Sequence, residues 1–230
     1  MSKTAILTGI SSGLGSELAL NLIGQGYKII GVSRSAIKNA KLKKLMDKGS
    51  IIHVMGDVSE SKTVENSFKK AQETGDLNLV INCAGSGVFG SAGTYKADVI
   101  QEVLQTNLMG TILFSDSAFT HFKNDGGTIV NIISTAAFTP RVNEAVYCAS
   151  KFGVKGYTES LRLETKNTPI KIIAVYPGGM NTNFWQNANC NNVDCEKFME
   201  ASEVAQIIVD NIFSKRSCYV SDIVINRNSG

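Results

Sequence analysis

The chain has 230 residues, 43% hydrophobic and 19% charged, and a chain of this size buries about three quarters of its unfolded surface without needing disulfides. Lys and Arg number 23 against 20 acids, a net charge of +3, which is too small an excess to make nucleic acid an expected partner. No apolar run approaches the ~18 residues of a membrane span, and the chain enters a glycine-rich turn by Gly9 with no apolar leader, so a soluble, cytoplasmic protein with no membrane partner is expected.

The first strand, near 4–8, runs into Thr8-Gly9-Ile10-Ser11-Ser12-Gly13-Leu14-Gly15. A helix follows, with Leu14, Leu18, Leu22 and Ile23 on one face. Gly9 permits the tight turn, Gly13 lets backbone N–H groups approach a pyrophosphate, and Gly15 allows close helix–sheet contact. The helix N-terminus adds partial positive charge. The glycine spacing differs from the common Gly-x-Gly-x-x-Gly fingerprint, so a plain tight turn remains open on spacing alone.

The second strand, near 28–33, ends in Ser33-Arg34, and no acid occurs between Glu17 and Asp47. An acid there would accept from an adenosine ribose 2′-hydroxyl, whereas a guanidinium would hold a 2′-phosphate. Arg34 therefore predicts a preference for NADP over NAD, while Lys38, Lys41, Lys43 and Lys44 read mostly as a solvated helix face.

The third strand lies near 51–55. A helix with Val64, Phe68 and Ala71 on one face leads from it to a fourth strand near 78–82. Residues 84–94, rich in glycine and alanine, suit a loop at the carboxyl end of that strand, where such sheets bind ligands. A fourth crossover helix carries Val99, Val103 and Leu104, and a fifth strand near 128–133 ends at Ser134.

A long helix then starts near Asn143, with Pro169 expected to end it. It holds Tyr147 and Lys151, four residues apart and so on one face. An ammonium beside a phenol lowers the phenol pKa from about 10 toward working pH, which would make a proton donor for a carbonyl. Ser134 would orient that carbonyl.

The sixth strand, near 170–176, is followed by an asparagine- and glycine-rich stretch, 178–200, which holds Phe184 and the single tryptophan, Trp185. It reads equally as a mobile flap over a ligand or as a locally packed surface excursion. A seventh strand spans about 218–225. Strands alternating with helices give an α/β, doubly wound Rossmann-type fold: one domain over residues 1–230, with a seven-stranded, mostly parallel sheet and helices on both faces. His53 and His121 read as structural. The cysteines at 83, 148, 190, 195 and 218 read as reduced thiols, and no cluster has metal-ligand spacing.

Taken together, these residues resemble the short-chain dehydrogenase/reductase family over nearly the full length. The resemblance rests on Thr8-Gly9-x-x-x-Gly13-x-Gly15, Asp57-Val58, Asn82-Cys83-Ala84-Gly85, Asn107, Ser134, Tyr147-x-x-x-Lys151 and Pro177-Gly178 with Thr182. Ser134 lies 13 residues and Asn107 lies 40 residues before Tyr147, and these separations also agree.

The resemblance implies Tyr147 as general acid or base, Ser134 on the reacting oxygen, and Lys151 on the nicotinamide ribose. Asn107 would hold a water that links Lys151 to solvent. Asp57 and Val58 would contact adenine; Asn82, Ala84 and Gly85 would line the ribose channel; Pro177, Gly178 and Thr182 would hold the carboxamide. The glycine turn with Ser11, Ser12 and Leu14 would hold the pyrophosphate.

The implied activity is NADP(H)-dependent hydride transfer to or from a small carbonyl or secondary alcohol, with Phe89, Phe138, Phe184 and Trp185 as substrate-pocket candidates. The alternatives are reduction of a 3-oxoacyl thioester and a non-catalytic NADP-sensing role. Cys83 replaces the Asn usual in the family, and the tail lacks the usual Val-Asp-Gly-Gly ending. A homodimer through the helices holding Asn107 and Tyr147 is therefore expected ahead of a tetramer.

Overall fold

The structure is a computed structural model that describes residues 2–188, 195–213 and 217–228. Its main sheet contains β1 (Lys3–Thr8), β2 (Lys28–Ser33), β3 (Ile51–Met55), β4 (Asp76–Asn82), β5 (Gly127–Ile132), β6 (Ile170–Pro177) and β9 (Asp222–Ile225). Two short strands, β7 (Met180–Asn181) and β8 (Met199–Glu200), pair separately within the expected flap. The helices are α1 (Gly13–Gly24), α2 (Ala40–Asp47), α3 (Ser61–Thr74), α4 (Ala97–Leu104), α5 (Gly110–Phe122), α6 (Ala145–Glu164), α7 (Phe184–Asn187) and α8 (Ala201–Ile212).

The seven strands are all parallel, in the order β3-β2-β1-β4-β5-β6-β9. Parallel neighbours require crossovers, and the helices supply them. The chain leaves β3 and returns to the other side of β1, so strand order reverses between β1 and β4. A crevice opens there at the carboxyl ends of the strands.

Alternation along the strands divides the core into two layers. Leu7, Ile29 and Leu79 face Leu18 and Leu22 of α1 and Ile208 of α8. Ile6, Val80 and Ile129 face Val64 and Phe68 of α3 and Phe114 of α5.

The last strand is shorter than the expected 218–225 because it pairs only with the end of β6, Ala174 to Pro177. Arg162 on α6 anchors its start, donating to Asp222 at 3.0 Å. The long helix ends at Glu164, before Pro169. Thr165 closes it, its N–H donating to the Leu161 carbonyl at 3.0 Å, so the turn and not the proline stops it.

A polar network lies between the sheet and α5 and α6. Asn82 Nδ2 donates to Ser115 Oγ (2.9 Å) and Asn131 Oδ1 (2.8 Å), and Asn131 Nδ2 donates to Thr158 Oγ1 (2.9 Å). All four residues are buried. Asn131→Ala would leave one of the two Asn82 Nδ2 hydrogens without its acceptor in the interior and is expected to cost about 2–3 kcal/mol. Urea unfolding would register this as a lower midpoint at constant m-value. A loss under about 0.5 kcal/mol would show that the network does not stabilise the fold.

Candidate active site

The glycine turn forms because the backbone there needs conformations that side chains resist. Gly9 (φ +75°) and Gly13 (φ +54°) lie in the left-handed region, and a Cβ on Gly15 would sit 2.1 Å from the Gly9 carbonyl oxygen. Thr8 Oγ1 accepts from the N–H groups of Cys83 (2.9 Å) and Ala84 (3.0 Å), tying the ends of β1 and β4 together across the crevice. Ser12 stands at the N-terminus of α1 and makes no side-chain cap bond, so the first-turn N–H groups lack a side-chain partner. That cradle fits a pyrophosphate.

From it a cleft of about 570 Å³ runs in both directions. Its walls include Ser11, Ser12, Leu14, Ser33, Arg34, Asp57, Val58, Ala84, Gly85, Pro177, Gly178 and Thr182, each expected there from the sequence.

At the adenosine end, Ser33 Oγ donates to the Ser35 carbonyl (2.8 Å) and lies 2.9 Å from His53 Nε2, so His53 has a structural partner. Arg34 has acidic partners of its own. Its guanidinium donates to Glu102 Oε1 at 2.9 Å and lies 3.9 Å from Asp57 Oδ2. Asp57 Oδ1 in turn accepts from Ser59 N (2.9 Å) and Ser59 Oγ (2.7 Å).

At the other end, Ser134, Tyr147 and Lys151 line the cleft together. Ser134 leaves the end of β5 and its Oγ accepts from Ala136 N (3.1 Å). Lys151 is only 5% exposed; its Nζ donates to the Ile132 carbonyl (3.1 Å) and lies 5.8 Å from the Tyr147 ring centroid.

Asn107 sits in a π-helical turn, Gln105–Met109, joining α4 to α5. Its side chain accepts from Ser86 N (2.8 Å) and donates to the Ser86 carbonyl (2.8 Å) and Ser150 Oγ (2.9 Å). Its direct partners are therefore the loop after β4 and helix α6, rather than Lys151.

Three expectations need correction. The sequence reading lowers the Tyr147 pKa, whereas burial pushes it up to about 12; the Ser134 hydroxyl pulls the other way and Glu144 adds to the rise. Burial likewise brings Lys151 down to about 8, which leaves it mostly protonated at neutral pH, and its charge does not outweigh the desolvation that raises Tyr147.

Asn82 does not line the cleft. The strand turns its side chain to the opposite face, into the network with Ser115 and Asn131, while the following Cys83 reaches the cleft. Burial raises the Cys83 thiol to about 12, leaving it a poor nucleophile.

Phe138 is also away from the cleft. Its ring packs 4.3 Å from that of Tyr176 under the Lys155 ammonium, and the residue is 45% exposed.

Of the other aromatic candidates, Phe184 and Trp185 line the cleft, whereas Phe89 stands behind them. Phe89 lies edge-on to the Tyr147 ring at 5.7 Å, Phe184 lies tilted to it at 5.6 Å, and Trp185 meets Phe89, stacking on it at 5.6 Å. A Cβ on Gly87 would come within 2.6 Å of Phe184 Cζ, so Gly87 lets this ring seat. Trp185 Nε1 donates to the Met180 carbonyl (2.9 Å), anchoring α7 to β7. Residues 189–194 of the expected flap lie outside the described residues. Arg141, Glu144 and Glu102 also line the cleft and were missed, although Glu144 stands one helical turn before Tyr147, a spacing visible in the sequence.

The profile of the short chain dehydrogenase family matches residues 3–192. The chain belongs to that family, a class of oxidoreductases. It is 35% identical to a short-chain dehydrogenase/reductase of Vibrio parahaemolyticus, whose crystal structure superposes with a TM-score of 0.83 over 97% of this chain and 100% of that one. It is 28% identical to carbonyl reductase family member 4 of Danio rerio over 100% of this chain and 98% of that protein. An alcohol dehydrogenase of the archaeon Thermococcus sibiricus, complexed with 5-hydroxy-NADP, shares the fold with a TM-score of 0.87 at 22% identity, covering 98% of this chain and 96% of that one.

Proposed function

We propose that this single catalytic domain is a cytoplasmic, NADP(H)-dependent reductase of small carbonyls, equally able to oxidise the matching secondary alcohols. The observation that carries the reading is one continuous cleft, with the glycine turn at its middle, Arg34 at one end and the Ser134–Tyr147–Lys151 group at the other. The nicotinamide would give or accept the hydride. Ser134 would hold the reacting oxygen by hydrogen bond, and Tyr147, which burial keeps protonated well above neutral pH, would deliver the proton. Lys151 would hold the nicotinamide ribose.

The aromatic rings around Tyr147 favour a small substrate over a long thioester. Met109 and Phe152, exposed on the π turn and on α6, support a homodimer through those helices. Cofactor consumption against small aliphatic, aromatic and diketone carbonyls, with NADPH and NADH in parallel, tests the reading. Turnover with NADPH is expected, and tight NADPH binding without turnover of any carbonyl would favour the sensing alternative.

For the 2′-phosphate, Arg34 must exchange Glu102 for a doubly acceptor group, a trade that favours the phosphate because its charge is larger. Arg34→Leu is expected to raise the NADPH KM roughly 10- to 100-fold, the value of one charge-assisted pair, with a much smaller effect on NADH. Equal losses with both cofactors would remove Arg34 as the specificity residue.

A further inference from the structure

Arg141 and Glu144 line the same cleft as Tyr147 and have no part in the mechanism above. Glu144 stands at the N-terminus of α6, one turn before Tyr147, yet its side chain makes no cap bond there. Among the described residues its partly buried carboxylate has no hydrogen-bond or ion-pair partner within 4 Å, Arg141 included. Both side chains act electrostatically on Tyr147, in opposite directions, so both charges lie close to the reacting end. The two opposite charges beside one proton donor feel each other through space but form no ion pair, an arrangement that suits a ligand carrying both. Glu144 is partly desolvated, and such a charge is costly until it is matched, while Arg141 is exposed.

The turn that carries the two charges is also held in place. Asn143, between them, is among the described residues the one non-glycine residue with positive φ (65°). Its carbonyl accepts from Gly90 N (2.8 Å) and from the Tyr95 hydroxyl (3.1 Å), and Ser91 Oγ donates to its Oδ1 (3.3 Å). These bonds fasten the 141–144 turn to the loop after β4, which also brings Phe89 to Tyr147. Strain at one residue is kept where it fixes the charged walls relative to the aromatic ones, an arrangement that lowers the cost of ordering on binding.

Building on the reductase reading above, we infer that the substrate is a short zwitterion: a β-hydroxy-α-amino acid or its β-keto form, with Glu144 taking the ammonium and Arg141 the carboxylate. The guanidinium fork matches a carboxylate bidentately. The ammonium would lie beside a carboxylate and near the rings of Phe89 and Phe184, surroundings that favour a cation. In the oxidative direction the β-carbon loses a hydride to oxidised nicotinamide dinucleotide phosphate, and its hydroxyl proton passes to Tyr147 and on to solvent. The products are the β-keto amino acid, the reduced cofactor and one proton.

Four probes separate the charges: threonine in all its stereoisomers, 3-hydroxybutanoate (amine removed), 1-amino-2-propanol (carboxylate removed) and 2-propanol (both removed). With NADP⁺, kcat/KM for one threonine isomer is expected to exceed that of each truncated probe by about tenfold or more, since each charged contact contributes at least that. Glu144→Gln is expected to collapse the ratio of threonine to 3-hydroxybutanoate, and Arg141→Met the ratio of threonine to 1-amino-2-propanol. Trp185, the only tryptophan, gives a readout free of turnover. Its fluorescence should respond to threonine in the presence of NADP⁺, with the half-saturation point shifted about tenfold in either variant.

Equal kcat/KM for threonine and 2-propanol would overturn the inference, as would variants that lower all four probes in proportion. A protein inert to every threonine isomer that still reduces neutral ketones with NADPH would overturn the zwitterion and leave the reductase reading intact. Inertness to all alcohols and carbonyls with either cofactor would remove both.

Discussion

Tyr147→Phe is expected to remove roughly 10²- to 10⁴-fold of turnover, the usual worth of a positioned proton donor, while cofactor affinity stays within about twofold. The substitution deletes one hydroxyl. Its ring contacts with Phe89 and Phe184, at 5.7 and 5.6 Å, depend on the ring alone and are kept.

Because burial pushes the phenol up to about 12, it is a proton donor at every pH where the protein would be assayed, and carbonyl reduction should not titrate with it near neutrality. Alcohol oxidation needs the phenolate instead. Below the phenol pKa that fraction grows tenfold per pH unit, so oxidation should climb by up to about tenfold per unit between pH 6 and 8. Steady-state kinetics in both directions, with cofactor affinity measured by titration, check this. A phenylalanine variant that keeps more than about a tenth of the rate would displace Tyr147 from its role.

The second large effect is expected at Lys151, where function and stability should move in opposite directions. Lys151→Met should lose turnover by about 10²-fold or more and weaken cofactor binding with it, since in the proposed mechanism the ammonium would both hold the ribose and serve the proton path. The same variant should be more stable near neutral pH. Burial lowers the lysine from 10.5 to about 8. The unfolded chain therefore binds more protons than the folded one between pH 8 and 10.5, and stability rises with pH in that window.

Below pH 8 the whole cost of burying the charge is present, on the order of 3 kcal/mol for a shift of this size, and above 10.5 it is gone. Methionine fills a similar volume without a charge. Its advantage should be largest at pH 7 and shrink toward pH 10, as read by urea unfolding at several pH values. The hydrogen bond to the Ile132 carbonyl, lost in the variant, offsets part of the gain. A destabilisation at pH 7 that did not change with pH would show that the lysine packs and bonds better than it is desolvated.

Much of the site is set by short-range rules, and these are legible in the chain. Gly9, Gly13 and Gly15 mark the phosphate turn because the backbone there enters left-handed conformations or touches itself. Tyr147 and Lys151 share a face because a helix repeats every 3.6 residues, and Ser134 falls on the ligand side because parallel strands end there. The six longer strands and their crossovers follow from β-branched runs alternating with helical periods.

The rest depends on contacts between segments far apart in the chain. Whether Asn82 or Cys83 faces the cleft turns on which side of β4 the crevice opens, a property of strand order. Phe138 has a neighbour 38 residues away in Tyr176, and Arg34 meets Glu102 across the opening. The direction in which Tyr147 titrates is inverted from the sequence expectation for the same reason: spacing brings it and Lys151 to one face, but desolvation by the assembled fold, which no spacing encodes, sets the pKa of each. Sequence by itself determined the fold class, the glycine turn and the placing of Tyr147 and Lys151 on one helical face, since each rests on local backbone geometry. Only the tertiary structure decided which polar groups are dry, which are paired, and that Arg141 and Glu144 line the cleft beside Tyr147 without forming an ion pair.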